Sequence, residues 1–236
     1  MKILKSDQFV SERMKIVPIT NNDMDKVETY HPKTKEELIK TIEKFIGIYG
    51  YKCNLNIIDT SDVTDMSWLF EGMYDFNGDV SKWNVSKVTN MTCMFAHTRF
   101  NGDLSNWNVS KVTNMCEMFT ESDFNGDISN WNVSSVKDMS GMFRYATEFK
   151  GDISNWNVGG VEDMSYMFEG ASSFNSDISK WSIDNVTDMS YMFAGASSFD
   201  RDLSKWSINE NTVKTHKMIF DCPLENHPEK QPKFNK

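Results

Sequence analysis

Aspartate returns at intervals of 24 or 25 residues: Asp79, Asp103, Asp127, Asp152, Asp177 and Asp202. A column of carboxylates is hard-oxygen chemistry of the kind that gathers calcium. Repeating calcium sites, however, bring several acidic ligands per turn and a glycine-rich loop. Here the residue before each aspartate runs Gly78, Gly102, Gly126, Gly151, Ser176 and Arg201. Arginine at that place argues against an obligatory positive φ. The plainer expectation is a turn residue whose carboxylate accepts backbone N–H groups, with no metal. Catalysis has little to stand on. His31, His97, His216 and His227 are scattered, and the two that fall among the repeats, His97 and His216, lie in different ones. The sequence contains no G-x-S-x-G, P-loop, G-x-G-x-x-G or H-E-x-x-H. Its serines recur as a repeat position without a base beside them. Cys53, Cys93, Cys116 and Cys222 have neither metal spacing nor disulfide-scaffold density, and they read as buried thiols of a reducing compartment. The expectation is no enzyme and no cofactor.

What must position these residues is the beat itself. Trp83, Trp107, Trp131, Trp156, Trp181 and Trp206 stand at separations of 24, 24, 25, 25 and 25. Val63, Val88, Val112, Val136, Val161, Val186 and Val213 keep the same time, and Phe70, Phe95, Phe119, Phe143, Phe168, Phe193 and Phe220 follow them by seven residues. A period in this range marks a solenoid, whose units bury apolar faces only against their neighbours. The tryptophan column suggests an aromatic platform for sugars; its inward slot between two aliphatics favours core packing instead.

In one well-formed unit, Ile178-x-x-Trp181-x-Ile183 has L-x-x-L-x-L spacing, and alternation at Trp181 and Ile183 fits a short strand. Met189, Met192, Phe193 and Ala196 lie at i, i+3, i+4 and i+7, one face of a short helix, with Thr187 and Asp188 at its start. Each repeat is therefore read as one short strand, one short helix and two turns, an α/β repeat. Seven strands at ~4.8 Å give an array roughly 30–35 Å long. Asn84, Asn108, Asn132 and Asn157, continued by Ser182 and Ser207, are expected on the solvent side, their amides bonded to one another along the sheet.

Four parts follow. Residues 1–31 form an arm, and 32–54 a helical cap over the exposed array end. In that cap Thr34 and Glu37 make a T-x-x-E capping box, Leu38, Ile42, Phe45, Ile46 and Tyr49 share a face, and Gly50 stops the helix. Residues 55–220 carry about seven repeats. Residues 221–236, polar and proline-rich, are expected as a loose tail. The first unit has Ile58 and Thr60 in place of Trp and Val, and the last has two extra residues between Trp206 and Val213.

The net charge of -9 is uneven: residues 53–220 hold 12 basic and 23 acidic groups, a balance of -11. An acidic body repels phosphate backbones, so nucleic acid is excluded as a partner of the array and an anionic membrane surface is disfavoured. No apolar run reaches the ~20 residues of a spanning helix. Asp7, Glu12 and Arg13 break up the start before a secretory signal can form, which reads as cytoplasmic.

At D-[VLI]-S-x-W-[NS]-[VI] followed by V-[TSKE]-[DN]-M-x-x-M-F, the chain resembles the BspA-type leucine-rich repeat of bacterial surface proteins, a repeat also carried by mycoplasma lipoproteins. The match covers residues ~55–220. The resemblance implies a right-handed leucine-rich-repeat-like solenoid and, in many relatives, attachment to host or partner proteins at the cell surface; it implies no enzymatic activity.

The repeats disagree with one another most two residues before each repeat phenylalanine, where Trp68, Cys93, Glu117, Gly141, Tyr166 and Tyr191 stand, and again just after it. Positions freed from core packing are open to tuning for recognition, with Tyr and Trp the usual anchors. Trp68, Tyr74, Arg99, Tyr145, Tyr166 and Tyr191 are the candidate partner-binding residues. The function expected is a rigid, non-catalytic module for protein interaction or adhesion. A small-ligand binder using the Trp or Asp column, or an assembly role for the arm or the array ends, are the alternatives.

Overall fold

A computed structural model describes residues 29–236. The arm expected over 1–31 therefore lies outside the described residues, save its last three. Tyr30 makes a parallel bridge to Ile58 on the first repeat. Helix α1, Lys35–Tyr49, follows, with Thr34 as N-cap and Gly50 at φ 81° as its stop. Thr34 Oγ1 accepts the Glu37 N–H at 3.3 Å, while the Glu37 carboxylate accepts the Lys33 N–H, one residue before the partner a capping box would use. Leu38, Ile42 and Phe45 are buried, whereas Ile46 is half-buried and Tyr49 lies at the rim.

The repeats contain neither the expected helix nor, except near the end, the expected strand. From Ile178 to Val186 the chain makes two tight turns, Trp181 N–H to Ile178 O and Val186 N–H to Ile183 O, each 3.0 Å. Short polar side chains take the donors that an extended ladder would need. Asp177 accepts the Ser179 N–H and Asp188 the Ser190 N–H. The asparagine column behaves likewise: Asn84, Asn108, Asn132 and Asn157 each accept the N–H two residues on, closing turns within their own repeats. The amide-to-amide ladder expected for them gives way to these local bonds.

The predicted helical segment keeps its buried face, with Met189, Met192, Phe193 and Ala196 all at 0% exposure. Its backbone is not α-helical. Tyr191 and Gly195 have φ of 58° and 68°, a left-handed conformation that no α-helix accommodates. Every second N–H there leaves its own repeat: Tyr166 bonds to Ser190 O, Phe168 to Met192 O and Gly170 to Ala194 O, at 2.8–2.9 Å. The intervening N–H groups close i→i+3 turns, such as Met167 to Met164. Single parallel bridges join the repeats in sequence, from Asp65–Asn90 through Asn114, Asp138 and Asp163 to Asp188–Lys214.

Inside, the phenylalanines form two columns. Phe70, Phe95, Phe119, Phe143, Phe168 and Phe193 are joined by Phe76, Phe100, Phe124, Phe149, Phe174 and Phe199, all at 0% exposure. Within a repeat the two rings stack, as Phe143 on Phe149 at 3.8 Å, and each ring lies 5.4–6.4 Å from its counterpart in the next repeat. Gly78, Gly102, Gly126 and Gly151 sit against the second column. A Cβ there would come within 2.8–3.0 Å of a phenyl carbon, so those glycines answer to space and not to φ. The six tryptophans of the column, Trp83 to Trp206, are 2–4% exposed and tilt against the first phenylalanine column. Each indole N–H from Trp83 to Trp181 donates to a backbone carbonyl of the preceding repeat, at Leu55, Val80, Leu104, Ile128 and Ile153, over 3.0–3.2 Å.

The last repeat departs from the pattern. Phe193 N–H bonds to Met218 O as Phe168 N–H bonds to Met192 O, so Ile219 follows where a phenylalanine stood before. Phe220, expected in the core column, is instead 50% exposed. Residues 221–236, expected as a loose tail, fold back. They hold the 3-10 turns Pro223–Asn226 and Pro228–Lys230 and strand β2, Lys233–Asn235, which pairs in parallel with β1, Ser207–Asn209. Cys222 and Leu224 are buried there. Proline at the first position of each 3-10 turn suits its fixed φ.

Two outcomes follow from this packing. Trp131→Phe keeps a ring in the column but removes the indole bond to Leu104 O, a carbonyl that still accepts the Trp107 N–H. It should cost about 1–2 kcal/mol in urea unfolding through the lost bond and the smaller ring, and no measurable loss would show that the indole bond is idle. The second concerns acid. Hydrogen bonds from the serine two residues on, through hydroxyl and N–H, hold the carboxyls of Asp103, Asp127, Asp152, Asp177 and Asp202 below their ordinary value of 3.8. A depressed pKa gives stability that is present above the unfolded value and lost as pH falls through the folded one. Replacing all five by asparagine, which keeps the turn, should flatten the fall in melting temperature below about pH 4; an unchanged acid limb refutes that assignment.

Candidate functional site

The segment that donates across repeats has two left-handed positions in each repeat. One is the column Trp68, Cys93, Glu117, Gly141, Tyr166, Tyr191 and Lys217; the other is Gly72, His97, Glu121, Tyr145, Gly170, Gly195 and Asp221. Their φ values lie between 50° and 70°. The first column contains the positions where the repeats disagree most, and the reason is geometric. A left-handed residue between two core methionines, or two past a core phenylalanine, turns its side chain away from the interior. It is released from packing and costs about 1 kcal/mol of backbone strain unless it is glycine.

The structure divides the six candidates into three places. Tyr166 and Tyr191 stack at 5.0 Å with an interplanar angle of 8°. The Arg144 guanidinium lies between Tyr145, at 5.2 Å, and Tyr166, at 5.1 Å, and its Nε is 2.5 Å from the Glu169 carboxylate. At the far end Tyr191 meets His216 edge-on at 5.2 Å, with the Lys217 ammonium 5.9 Å from its ring. Tyr145 lies flat across Gly170, where a Cβ would stand 2.2 Å from a ring carbon. This strip spans repeats four to seven. Beside it is an open recess of about 410 Å³ lined by Glu117, Ser140, Gly141, Arg144, Ser165 and Tyr166. Trp68 stands apart, 53% exposed, under the Lys35 ammonium of α1 at 4.9 Å. Tyr74 and Arg99 pair at a different edge, hydroxyl to Nη2 at 3.1 Å.

The remaining chemistry is quiet. Among the described residues no group of three His, Cys, Asp or Glu side chains is arranged to hold a metal ion. The aspartate column is engaged in its own turns, from Asp79 with Ser81 to Asp202 with Ser204. Buried indoles offer no face for a sugar. Burial pushes the Cys53 and Cys116 thiols up to about 11 and Cys93, beside the Glu117 carboxylate, to about 12, so all three remain protonated at neutral pH. One trio has the order of a nucleophile, base and acid: Thr29 Oγ1 to His31 Nε2 at 2.7 Å, and His31 Nδ1 to Asp59 at 2.9 Å. Its His and Asp side chains are 52% and 37% exposed, a watery setting in which such a relay gains little.

Sequence reasoning misses Arg144, Glu169, His216 and Lys217 as members of the strip, and it misses the second phenylalanine column. The phenylalanines were findable, since Phe76 to Phe199 keep the same period. Arg144 and Glu169 each follow a repeat phenylalanine, 25 residues apart, so the period puts them in one column; no recurring residue type marks that place, and their ion pair shows only in the structure.

A family model described as Mycoplasma protein of unknown function, DUF285, matches residues 37–136 and again 120–230. Two overlapping matches to one model are what a repeat array produces. The chain belongs to this bacterial repeat family. No curated protein and no solved structure matches it. Among the described residues no helix is long and apolar enough to cross a membrane.

The left-handed columns can be tested where no partner is needed. Glu121 has φ 51° and only an exposed contact to His97 at 3.2 Å, which is worth little. Glu121→Gly should raise stability by about 0.5–1 kcal/mol and Glu121→Val should lower it by more than about 1 kcal/mol. Urea midpoints that rank the two the other way would refute the strain.

Proposed function

We propose that this member of the DUF285 family is a non-catalytic protein-interaction module, a right-handed solenoid of the BspA leucine-rich-repeat type, and that it binds through the strip Tyr145–Arg144–Tyr166–Tyr191. The single observation that carries the reading is tyrosine where glycine is easier. At the two left-handed positions glycine already serves as Gly141, Gly170 and Gly195, yet Tyr145, Tyr166 and Tyr191 hold φ of 52–60°. Selection for fold alone favours glycine there, so the retained rings point to use at the surface. Stacked tyrosines flanked by arginine have the composition of an interface anchor. Their order costs little on docking, because the Glu169 pair and the Tyr166–Tyr191 stack already fix the rotamers. The solenoid reading draws support from the parallel bridges and from the 24- or 25-residue tryptophan beat. The non-catalytic reading draws support from the exposed setting of the Thr29–His31–Asp59 trio.

A photo-crosslinking residue at position 166, compared with one at Asn132 on the exposed asparagine column, tests the proposal in cells of the source organism and in cells it contacts. Discrete protein adducts are expected from 166 and not from 132. Equal labelling from both, or labelling from neither, overturns it.

A further inference from the structure

We propose that the edge formed by Tyr51, Asp75, Arg99 and Asp123 is a carbohydrate-binding site, separate from the tyrosine strip. These four residues stand 24 apart, Tyr51 just after the cap helix and Asp75, Arg99 and Asp123 in successive repeats, where acid, base and acid alternate. In later repeats the corresponding place holds Glu148, Ser173 and Ser198, so the pattern belongs to the first part of the array alone.

Cross-repeat bonds set the geometry. Asn77 N–H reaches Tyr51 O at 3.0 Å, Arg99 N–H reaches Tyr74 O at 2.8 Å, and Asp123 N–H reaches Thr98 O at 3.2 Å. The side chains line a recess of about 440 Å³ together with Lys52 and Asn77. That volume accommodates one or two sugar rings and lies within the range of small-molecule sites.

Opposite charges one repeat apart would ordinarily close into ion pairs, yet among the described residues Lys52, Asp75, Arg99 and Asp123 make none within 4.0 Å. Arg99 turns instead to Tyr74, donating to its hydroxyl and lying 4.7 Å over its ring, while it also lines the recess. Asn77 Oδ1 is occupied by the Asn101 N–H at 3.1 Å, which leaves its amide N–H₂ to donate outward. The lining therefore offers carboxylate acceptors at Asp75 and Asp123 and donors at Lys52, Asn77 and Arg99. A sugar hydroxyl both donates and accepts, and a row of them matches alternating groups that a purely cationic or anionic ligand would leave half unsatisfied. Tyr51, 44% exposed, supplies the apolar face on which the C–H side of a pyranose rests. Sugar hydroxyls make to these groups the same kinds of bond that water makes to exposed polar side chains.

The test is a glycan array of neutral and acidic oligosaccharides, followed by titration of the hits, or of methyl glycosides, against ¹⁵N-labelled protein. Saturable shifts are expected at the amides of Lys52, Asn77 and Asp123, with millimolar affinity for a monosaccharide. Tyr51→Ala should weaken binding roughly tenfold. Asp123→Asn, which conserves shape, should weaken it while leaving the melting temperature unchanged. Silence across the array, shifts centred on the tyrosine strip, or an affinity indifferent to both variants overturns the proposal. Because positions 166 and 191 lie outside this recess, crosslinking at 166 succeeds or fails independently of it.

Discussion

Everything in this structure depends on how the segment around each Met-x-x-Met-Phe motif spends its backbone N–H groups. Alternate donors go to the following repeat and the rest close tight turns, a division that neither an α-helix nor a regular strand permits. To aim successive donors the same way, the chain passes through the left-handed region twice per repeat, four residues apart. That requirement has three consequences. It locks neighbouring repeats in parallel register, it turns methionine and phenylalanine inward, and it places two side chains per repeat outside. The outward positions are structurally constrained in φ and chemically free. Recognition therefore has room to vary there without disturbing the core, at about 1 kcal/mol for each residue that is not glycine.

The core answers the same geometry. A repeat made of turns has little internal backbone pairing, so its cohesion comes from what stacks above and below. The paired phenylalanines lie within 4.2 Å of each other inside a repeat and under 6.5 Å from the next, and each tryptophan from Trp83 to Trp181 adds a directional bond backward across the interface. The indole bond matters beyond its own strength. It satisfies a buried donor, which would be expensive to leave alone, on a carbonyl that already closes a turn in its own repeat, so one oxygen ties the turn to the next repeat. Valine has no such duty and serves only to fill the space beside the tryptophan.

The buried columns were legible in the sequence because burial recurs at every repeat, and periodic burial leaves a periodic residue type. Trp, Val, Phe and Met could all be placed inside from spacing alone, as could α1 from its cap, its apolar face and Gly50. The conformation between those columns could not. Inward residues at i, i+3, i+4 and i+7 are produced equally by an α-helix and by a ribbon of turns with left-handed residues at i+2 and i+6. Met189, Met192, Phe193 and Ala196 satisfy both. The signal that separates the two is glycine at the left-handed places: Gly141 in the first column and Gly72, Gly170 and Gly195 in the second. The Asp-x-Ser pairs hide a similar ambiguity, since the same residues suit a helix start and a free-standing turn. The edges of the site were legible only as variability: Tyr166 and Tyr191 stood out by type, while Arg144 and Glu169, one period apart, stand at a place with no recurring residue type to mark it.

The last repeat shows how tightly the arrangement is tuned. Two extra residues precede Val213, and the slot of the repeat phenylalanine falls six residues after that valine where it fell seven before, which carries Phe220 to the surface and leaves Ile219 in its place. The Trp206 indole N–H has no partner, in contrast to the bonded indoles before it. A one-residue change in phase is thus enough to remove a phenylalanine from the core, because a stack of turns has no second register in which the same rings can meet. The segment after Cys222 compensates locally: Leu224 is buried against this repeat, β2 pairs with β1, and Lys230 bonds to Asp200 at 2.8 Å. The same phase sensitivity constrains the tyrosine strip. Tyr166 and Tyr191 stack only because 25 residues separate them, so insertions tolerated by ordinary surface loops would, within the repeats, part the two rings and unseat the core beneath them together.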